Sequence, residues 1–360
     1  MTNRKNPTLL TRPPYTIGPR KKEENKTKEK NIIIYFVNYL RILILRNNMG
    51  QGSSTSLPAT SFVGKRALVF GGTSGIGRGI ALKLGELGAS VTVVGRDVVR
   101  GEEVVTALQA SNPNGQHAFS QCNAFLLKDV AASANTHNTA AAPPLDLLVL
   151  TQGMATLQGF TPTADEGLDE KMSLHYWGRV TATRAMLPAL RRAPAPVVLS
   201  VLSGGVHSPY SGWKEDFELS KGAYSLPNAA NAAGFYNDIA AEAQSKETGN
   251  EKVLFLHASP GFVNTRWGQE MPFYVRYLVR AIQPLAKSPE ACAEAMLKPV
   301  VERVEGAAGG GWRIIDEKGD PAAPTTLQAE ARDGVWKQTR AVVERALGAD
   351  FWEQSTCSSK

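Results

Sequence analysis

Residues 67–97 read ALVFGGTSGIGRGIALKLGELGASVTVVGRD. The stretch runs from an apolar segment, Ala67–Phe70, through a glycine-rich turn into an amphipathic segment, Arg78–Leu87, and then a second apolar segment, Ser90–Val94. Short apolar runs are typical of buried strands, and the amphipathic segment has the period of a helix. The order therefore predicts a strand–helix–strand unit with parallel strands, and with it an α/β fold.

The glycines of the turn are expected to have different roles. Gly71 allows a tight turn, Gly75 lets the backbone approach a pyrophosphate, and Gly77 allows the helix to pack closely on the strand. The N-terminus of the following helix attracts phosphates. The pattern indicates a dinucleotide site that includes Gly71, Thr73, Ser74, Gly75, Ile76, Gly77 and Arg78.

The end of the second strand predicts which dinucleotide binds. An acidic side chain there accepts hydrogen bonds from the ribose of NAD and repels the extra phosphate of NADP. Gly95 occupies that position, and Arg96, which follows it, suits a 2′-phosphate. We therefore expect NADP(H). NAD(H) remains the alternative, because Asp97, one residue further on, could contact the ribose instead. In that case Arg96 is only a solvated charge of the loop.

The sequence Gly-Gly-Thr-Ser-Gly-Ile-Gly at 71–77 resembles the short-chain dehydrogenase/reductase family, although Phe70 stands where the family has Thr. The resemblance implies a single doubly wound Rossmann-type domain with a seven-stranded, mainly parallel sheet. It also implies hydride transfer between a nicotinamide and a carbonyl or alcohol, and assembly into a homo-dimer or tetramer. The later strands are predicted at His117–Cys122, Leu145–Leu150, Val197–Ser203, Lys252–Leu256 and Gly309–Asp316.

Further cofactor contacts follow from the same resemblance. Asn123 ends the third strand where the family places a polar residue beside the adenine, and Gly153 follows the fourth strand. The segment after the sixth strand resembles the family's Pro-Gly stretch at the nicotinamide end. Its implied contacts come from Pro260, Gly261, Val263 and Thr265.

The family's acid/base tyrosine precedes a lysine by four residues. Tyr210 and Lys214 have that spacing, but Tyr210 lies only seven residues after Ser203 and outside any helical pattern. Tyr224 is the better candidate, because it opens a segment that resembles the active-site helix. The position four residues later is Asn228, an amide that supplies no positive charge. This Tyr-x-x-x-Asn pattern indicates a divergent branch of the family, similar to its fungal and protist members.

The predicted catalytic residues are Ser203, Tyr224, Asn228 and His175. Ser203 follows the fifth strand and is expected to hold the substrate oxygen. His175 aligns with an asparagine of the family, and it either carries a proton or is a hydrogen-bonded helix residue that spaces two strands. Two functions stay open: an oxidoreductase, or a dinucleotide-binding sensor or scaffold that has lost efficient chemistry.

Charge divides the chain into unequal parts. Residues 1–48 carry 11 basic and 3 acidic residues, so their net charge, 11 minus 3, exceeds the net charge of +7 of the whole chain. We interpret 1–48 as a leader, 49–62 as a flexible arm, 63–350 as the domain and 351–360 as a tail. The domain is nearly neutral and has no basic–aromatic pattern, so no nucleic-acid partner is expected. Three scattered cysteines predict neither a disulfide framework nor a metal site.

Two features suggest a lipophilic environment. If translation starts at Met49, Gly50 fits a myristoylation pattern, and an otherwise cytoplasmic protein becomes associated with a membrane. Residues 266–287 are the predicted substrate lid, and within them Pro272–Leu285 is an apolar stripe that carries Arg276 and Arg280. The stripe is a pocket wall, a surface for peripheral membrane contact, or a subunit interface. The expected substrate is a lipophilic carbonyl or alcohol.

Overall fold

The centre of the molecule is one sheet of eight strands in the order β3-β2-β1-β4-β5-β6-β7-β8. The computed structural model describes residues 57–59, 61–139, 141–266, 271–306 and 309–354. The strands are β1 Arg66–Phe70, β2 Ser90–Gly95, β3 Ala118–Gln121, β4 Leu147–Leu150, β5 Val197–Val201, β6 Leu254–Ala258, β7 Gly311–Ile315 and β8 Pro321–Ala322.

Strands β1 to β7 pair in parallel throughout. Val69 of β1, for example, lies between Val93 of β2 and Val149 of β4. The doubly wound, mainly parallel sheet predicted from the sequence is confirmed. The count of seven strands is wrong by one, because β8 pairs antiparallel with β7. A strand of two residues, Pro321 and Ala322, is too short to carry a periodic signal.

Helices cover both faces of the sheet, as continuous apolar strands require. One face packs against the helices α1, α2 and α8, and the other packs against α3, α5 and α6. In chain order the helices are α1 Gly75–Glu86, α2 Val98–Ser111, α3 Leu127–His137, α4 Glu170–Met172, α5 Gly178–Arg191, α6 Leu226–Ser245, α7 Phe273–Ile282, α8 Pro289–Val304, α9 Gln328–Leu347 and α10 Asp350–Gln354.

Helices α4 and α5 are joined by a π-helical turn, Ser173–Trp177. Asp169 caps the start of this segment, since its Oδ1 accepts a hydrogen bond from the backbone N–H of Met172 at 3.0 Å. Single π turns inside helices are frequent at functional sites. This turn contains His175, which is therefore displaced relative to a regular helix.

The predicted lid is helical over much of its length. Helix α7 buries Val275 and Val279, while Phe273 and Tyr277 are 64% and 69% exposed. Residues 267–270 lie outside the described residues, as do the leader, Met49, Gly50 and most of the tail. No helix within the described ranges is long and apolar enough to cross a bilayer.

Arg179 on α5 is a buried charge at the carboxyl edge of the sheet, 2% exposed. Its Nη1 donates to the carbonyl groups of Leu150 at 3.1 Å and Val201 at 3.0 Å, and its Nη2 donates to Gln152 at 2.7 Å. These carbonyl groups lie at the ends of β4 and β5, where the hydrogen bonds between strands stop. Without Arg179 they would lack a donor. Burial lowers the pKa of Arg179 to about 9, so the guanidinium remains charged at neutral pH.

Replacing this side chain tests its structural role. We expect Arg179→Met to lower the free energy of unfolding by about 3 kcal/mol or more, because several buried carbonyl groups lose their donor. The exposed Arg192, just past the end of the same helix, also bonds carbonyl groups and provides the control, Arg192→Met. Urea denaturation measures both. Equal effects of the two substitutions would show that Arg179 contributes no more than a surface arginine.

Candidate active site

The glycine turn packs directly against the end of β4. A Cβ atom on Gly77 would lie 2.3 Å from Oγ1 of Thr151 and 2.4 Å from the carbonyl oxygen of Gly71. At Gly71, where φ is +77°, it would lie 2.7 Å from both Thr151 Oγ1 and the backbone nitrogen of Gln152. These distances leave no room for a side chain at either position. The turn therefore needs glycine where the sequence predicted it.

The nicotinamide-end segment lies against this turn. Gly75, with φ at +55°, has Thr265 as its neighbour: a Cβ there would be 3.6 Å from the Thr265 side chain. Gln283, just beyond α7, donates from Nε2 to the carbonyl oxygen of Thr265 at 2.8 Å. Val263 forms a parallel bridge with Lys287. Two predicted parts of the cofactor site, distant in sequence, thus share one edge of the sheet.

The start of α1 suits a diphosphate. Ser74 is the N-cap in extended conformation, and its hydroxyl makes no capping hydrogen bond. The first turn of the helix carries no acidic side chain, so the partial positive charge of the helix end is not neutralised there. Glycines that clear the backbone and an uncapped helix end together fit a nicotinamide dinucleotide.

The end of β2 has no carboxylate at the position of Gly95. A Cβ at Gly95 would lie 2.6 Å from Cγ2 of Thr73, so Thr73 fills the space beside it. Arg96 is exposed, with its guanidinium 4.6 Å from the ring centre of Phe125. Asp97 is engaged with α2, since it caps the helix at Arg100 N, 3.1 Å away. Of the three candidate residues, only Arg96 offers a charge to a ligand at this corner.

Asn123 and Gly153 lie after β3 and β4, at the same edge of the sheet. Asn123 is half-buried, and its Oδ1 accepts from the backbone N–H of Phe125 at a long 3.4 Å. Gly153 is exposed, and a Cβ on it would lie 3.1 Å from Nε2 of His175. Both predicted cofactor residues therefore occur on the expected edge.

His175 holds the loop after β4. Its Nε2 accepts a hydrogen bond from the backbone N–H of Met154 at 3.1 Å. Burial and, to a lesser extent, the charges of Arg179 and Lys171 lower the pKa of His175 to about 3. The ring is therefore neutral near pH 7. Of the two alternatives left open by the sequence, this environment favours a spacer between structural elements over a proton carrier.

Two serines near the end of β5 have different surroundings. Ser200 takes part in the interior: its Oγ accepts from Nη1 of Arg179 and donates to Oδ1 of Asn237. Ser203 lies two residues past the strand, and its Oγ is buried with no hydrogen-bond partner among the described residues. An unpartnered hydroxyl at the carboxyl edge is what a substrate oxygen would engage.

Tyr224 stands beside a carboxylate. Its Oη donates to Oδ1 of Asp169 at 3.5 Å, and its ring packs edge-on against Phe160. Burial raises the pKa of Tyr224, and the charge and hydrogen bond of Asp169 raise it further. The family chemistry needs the opposite shift, which its lysine supplies. Tyr224 is therefore held as a neutral phenol.

Helix α6 begins at Leu226, two residues later than Tyr224. Ser225 is the extended N-cap, and its side chain accepts from the backbone N–H of Asn228 at 3.2 Å. The Asn228 side chain turns back, and its Nδ2 donates to the carbonyl of Ala223 at 2.7 Å. The amide thus closes the turn before the helix. Lys221, a conceivable substitute for the missing charge, is exposed and bonds the carbonyl of Glu215.

Tyr210, the rival candidate, is part of the core. Its Oη donates to the carbonyl oxygen of Asp216 at 3.2 Å, and its ring contacts Tyr236 at 6.2 Å between centroids. Lys214, four residues later, pairs with Glu330 on the surface. The literal Tyr-x-x-x-Lys spacing at 210–214 therefore does not bring a lysine to a phenol.

Several polar residues at this edge escaped the sequence analysis. Asp169 had a local signal, since an aspartate directly before a helical stretch is a common N-cap. Arg179 had none, because one arginine on an amphipathic helix is normally solvated. A cluster of three more residues had no local signal either. Its members are His207, Asp238 and His257, which lie far apart in the sequence and meet only in the fold.

The carboxylate beside Tyr224 provides a test of the site's electrostatics. We expect Asp169→Asn to lower the pKa of Tyr224 toward the usual tyrosine value of about 10, because a neighbouring negative charge no longer opposes ionisation. A ¹³C-tyrosine NMR titration, with Tyr224→Phe to assign the signal, measures it. The control is Asp165→Asn, which removes an exposed carboxylate of the same loop. An unchanged pKa would mean that Asp169 does not act on the phenol.

Comparison with known proteins agrees with this geometry. Residues 65–272 match the family model of short chain dehydrogenases. Oxidoreductase AN1596 of Emericella nidulans is 26% identical over 82% of this chain and 97% of its own length. Polyprenol dehydrogenase of Mus musculus is 29% identical over 82% of this chain and 88% of its own.

Among solved structures, a short chain dehydrogenase of Shigella flexneri in complex with NADP has the same fold, with a TM-score of 0.54 and 16% identity over 72% of this chain and all of its own. The fold and the match over more than half of the chain lead to one conclusion. The chain belongs to the short-chain dehydrogenase family.

Proposed function

We propose that this protein is an NADP(H)-dependent oxidoreductase that acts on a lipophilic carbonyl or alcohol. The cofactor preference depends on one observation: Gly95 leaves the end of β2 without a carboxylate, and the exposed Arg96 follows it. A guanidinium pairs well with a phosphate, whereas NAD recognition needs an acid there. The structurally similar protein from Shigella flexneri is in complex with NADP, which supports a nicotinamide dinucleotide as the cofactor.

The residues of this chain divide the remaining work. When bound, the nicotinamide supplies or accepts the hydride. Ser203 is the proposed partner of the substrate oxygen, because its buried hydroxyl has no partner within the described residues. Tyr224 keeps its proton near neutral pH, beside Asp169. A neutral phenol can donate a proton to a reduced carbonyl oxygen but is a poor base toward an alcohol, so carbonyl reduction is the proposed direction.

A lipophilic substrate is supported by two apolar features. The ring of Phe160 packs edge-on against Tyr224, and helix α7 of the predicted lid exposes Phe273 and Tyr277. One relative is a polyprenol dehydrogenase, a name that describes a long apolar alcohol as substrate. Our proposal for this chain is the broader class of apolar carbonyl compounds, reached from the membrane side if Gly50 is lipidated.

One observation favours a second candidate function. The structure places a carboxylate rather than a cation at Tyr224, and the amide of Asn228 is occupied by the carbonyl of Ala223. A protein with an intact dinucleotide site and a phenol of raised pKa is also suited to sensing the cofactor without efficient turnover. Nucleotide binding is common to both candidates, and only turnover separates them.

The cofactor preference is tested by nucleotide titration. We expect NADPH to bind residues 49–360 more tightly than NADH, and Arg96→Ala to weaken NADPH about 10- to 100-fold, the loss expected for a charge-assisted contact to phosphate. NADH affinity should barely change. Arg100→Ala, an exposed arginine on α2, is the control. Fluorescence titration measures the affinities of both nucleotides for the parent protein and the two variants; equal loss for both nucleotides in Arg96→Ala would contradict recognition of the 2′-phosphate.

Turnover tests the chemistry. With NADPH and a series of aldehydes and ketones of rising chain length, we expect kcat/KM to increase with apolar length. Ser203→Ala should lower it about 100-fold or more, since a hydrogen bond to the reacting oxygen is lost. Ser208→Ala, an exposed serine of the same loop, should not. NADPH binding without turnover of any substrate would support the sensor instead.

A further inference from the structure

Three charged or polar side chains form a buried cluster next to Ser203. Asp238 lies on α6, His257 on β6, and His207 in the loop after β5. Their side chains are 0%, 0% and 2% exposed. They meet at the carboxyl edge of the sheet, between α6 and the last residues of β5 and β6.

His257 is neutral in this arrangement. Its Nδ1 lies 2.5 Å from Oδ1 of Asp238, and its Nε2 faces the backbone N–H of Ser203 at 3.3 Å. The backbone group can only donate, so Nε2 accepts and the single ring proton is on Nδ1. Burial lowers the pKa of His257, despite the favourable charge of Asp238, which agrees with this assignment.

His207 faces the same carboxylate from the other side. Its Nδ1 donates to the carbonyl oxygen of Ser203 at 2.9 Å, and its Nε2 lies 3.2 Å from Oδ2 of Asp238. Both Nε2 and Oδ2 are buried, and neither makes a hydrogen bond within the described residues. The hydrogen bond that Asp238 makes to the cluster is therefore the one to His257. Burial alone would raise the pKa of Asp238, but the two histidines lower it below its usual range.

The cluster therefore holds Ser203 from both sides. His257 receives the N–H of Ser203 and His207 donates to its carbonyl, while Asp238 accepts a hydrogen bond from Nδ1 of His257. The absence of a side chain at Gly234 makes this possible. A Cβ there would lie 2.5 Å from Ser203 Oγ and 2.5 Å from His207 Nδ1, so the hydroxyl and the ring occupy one small space on α6.

We propose that Asp238 is a positioning residue for Ser203: through its hydrogen bond to His257, which accepts the backbone N–H of Ser203, it fixes the loop that carries the Ser203 hydroxyl. The catalytic part of this inference rests on the proposed function, but the hydrogen-bond geometry does not. The groups that face the cluster are Asp238 from α6, Arg179 from α5 toward His257, and the uncharged ring of Phe235 beside His207.

Asp238→Asn separates this proposal from a merely structural role. The amide oxygen can still accept from His257 Nδ1, but without the charge the hydrogen bond is weaker, so the packing is kept while the charge-assisted hydrogen bond is lost. The matched control is Asp333→Asn, which removes an 86% exposed carboxylate of α9. If the cluster only fills space, the two variants should behave alike.

The decisive experiment is NMR of protein labelled with ¹⁵N-histidine and uniformly with ¹⁵N. The chain has 5 histidines, so single His→Gln variants assign the ring signals. At pH 7 we expect the single ring proton of His257 on Nδ1 and an unprotonated Nε2. In Asp238→Asn, the proton of His257 should move partly to Nε2, and hydrogen-exchange protection of the Ser203 amide should fall about tenfold. A proton on Nε2 of His257 in the parent protein, or unchanged protection in the variant, overturns the proposal.

Kinetics then connects the cluster to turnover. We expect Asp238→Asn to lower kcat about tenfold with little change in KM for NADPH, because the variant disturbs the position of Ser203 and not the nucleotide site. Unchanged kcat would overturn the catalytic part. If the parent protein turns over nothing, the proposed function fails, whereas the NMR result still decides whether Asp238 positions Ser203.

Discussion

The guanidinium of Arg179 is the contact on which the functional edge of the sheet depends. Parallel strands end with carbonyl groups that have no further partner in the ladder, and water would normally solvate them. Here the carbonyls of Leu150 and Val201 are buried, and a single cation from α5 satisfies both as well as Gln152. The same Nη1 binds Ser200. Because burial of a charge is costly, so many acceptors around one side chain are needed to make it favourable.

The charge and hydrogen bonds of Arg179 also affect the neighbouring elements. The hydrogen-bond network continues from Ser200 to Asn237 on α6, and Asn237 donates from Nδ2 to the carbonyl of His175. The positive charge of Arg179 is one reason why His175 stays neutral, since it disfavours a second cation at short range. The loop after β4, the π turn and the start of the Ser203 loop are thus positioned by one connected set of hydrogen bonds. A change at any member is transmitted to the others through buried groups that water does not reach.

How far the sequence predicted this molecule follows from the range of each interaction. The glycine turn was predictable because Gly71 and Gly77 act through local backbone geometry, and the strands because parallel β-structure buries continuous apolar runs. Strand β8 was missed since two residues have no period. The cluster of His207, Asp238 and His257 was not predictable, because its members carry no local pattern and become neighbours only when β5, β6 and α6 pack together.

The polar interior explains how the site can differ from the family pattern without losing the fold. In the family pattern a lysine stands four residues after the tyrosine; in this chain the described environment of Tyr224 offers Asp169 instead. Arg179 is a buried positive charge at the same edge, and it bonds the carbonyl groups at the ends of β4 and β5 rather than the phenol. His257 and His207 hold the backbone of Ser203, with Asp238 behind His257. The buried polar groups therefore support the strand ends and the Ser203 loop, while the negative charge of Asp169 opposes ionisation of Tyr224.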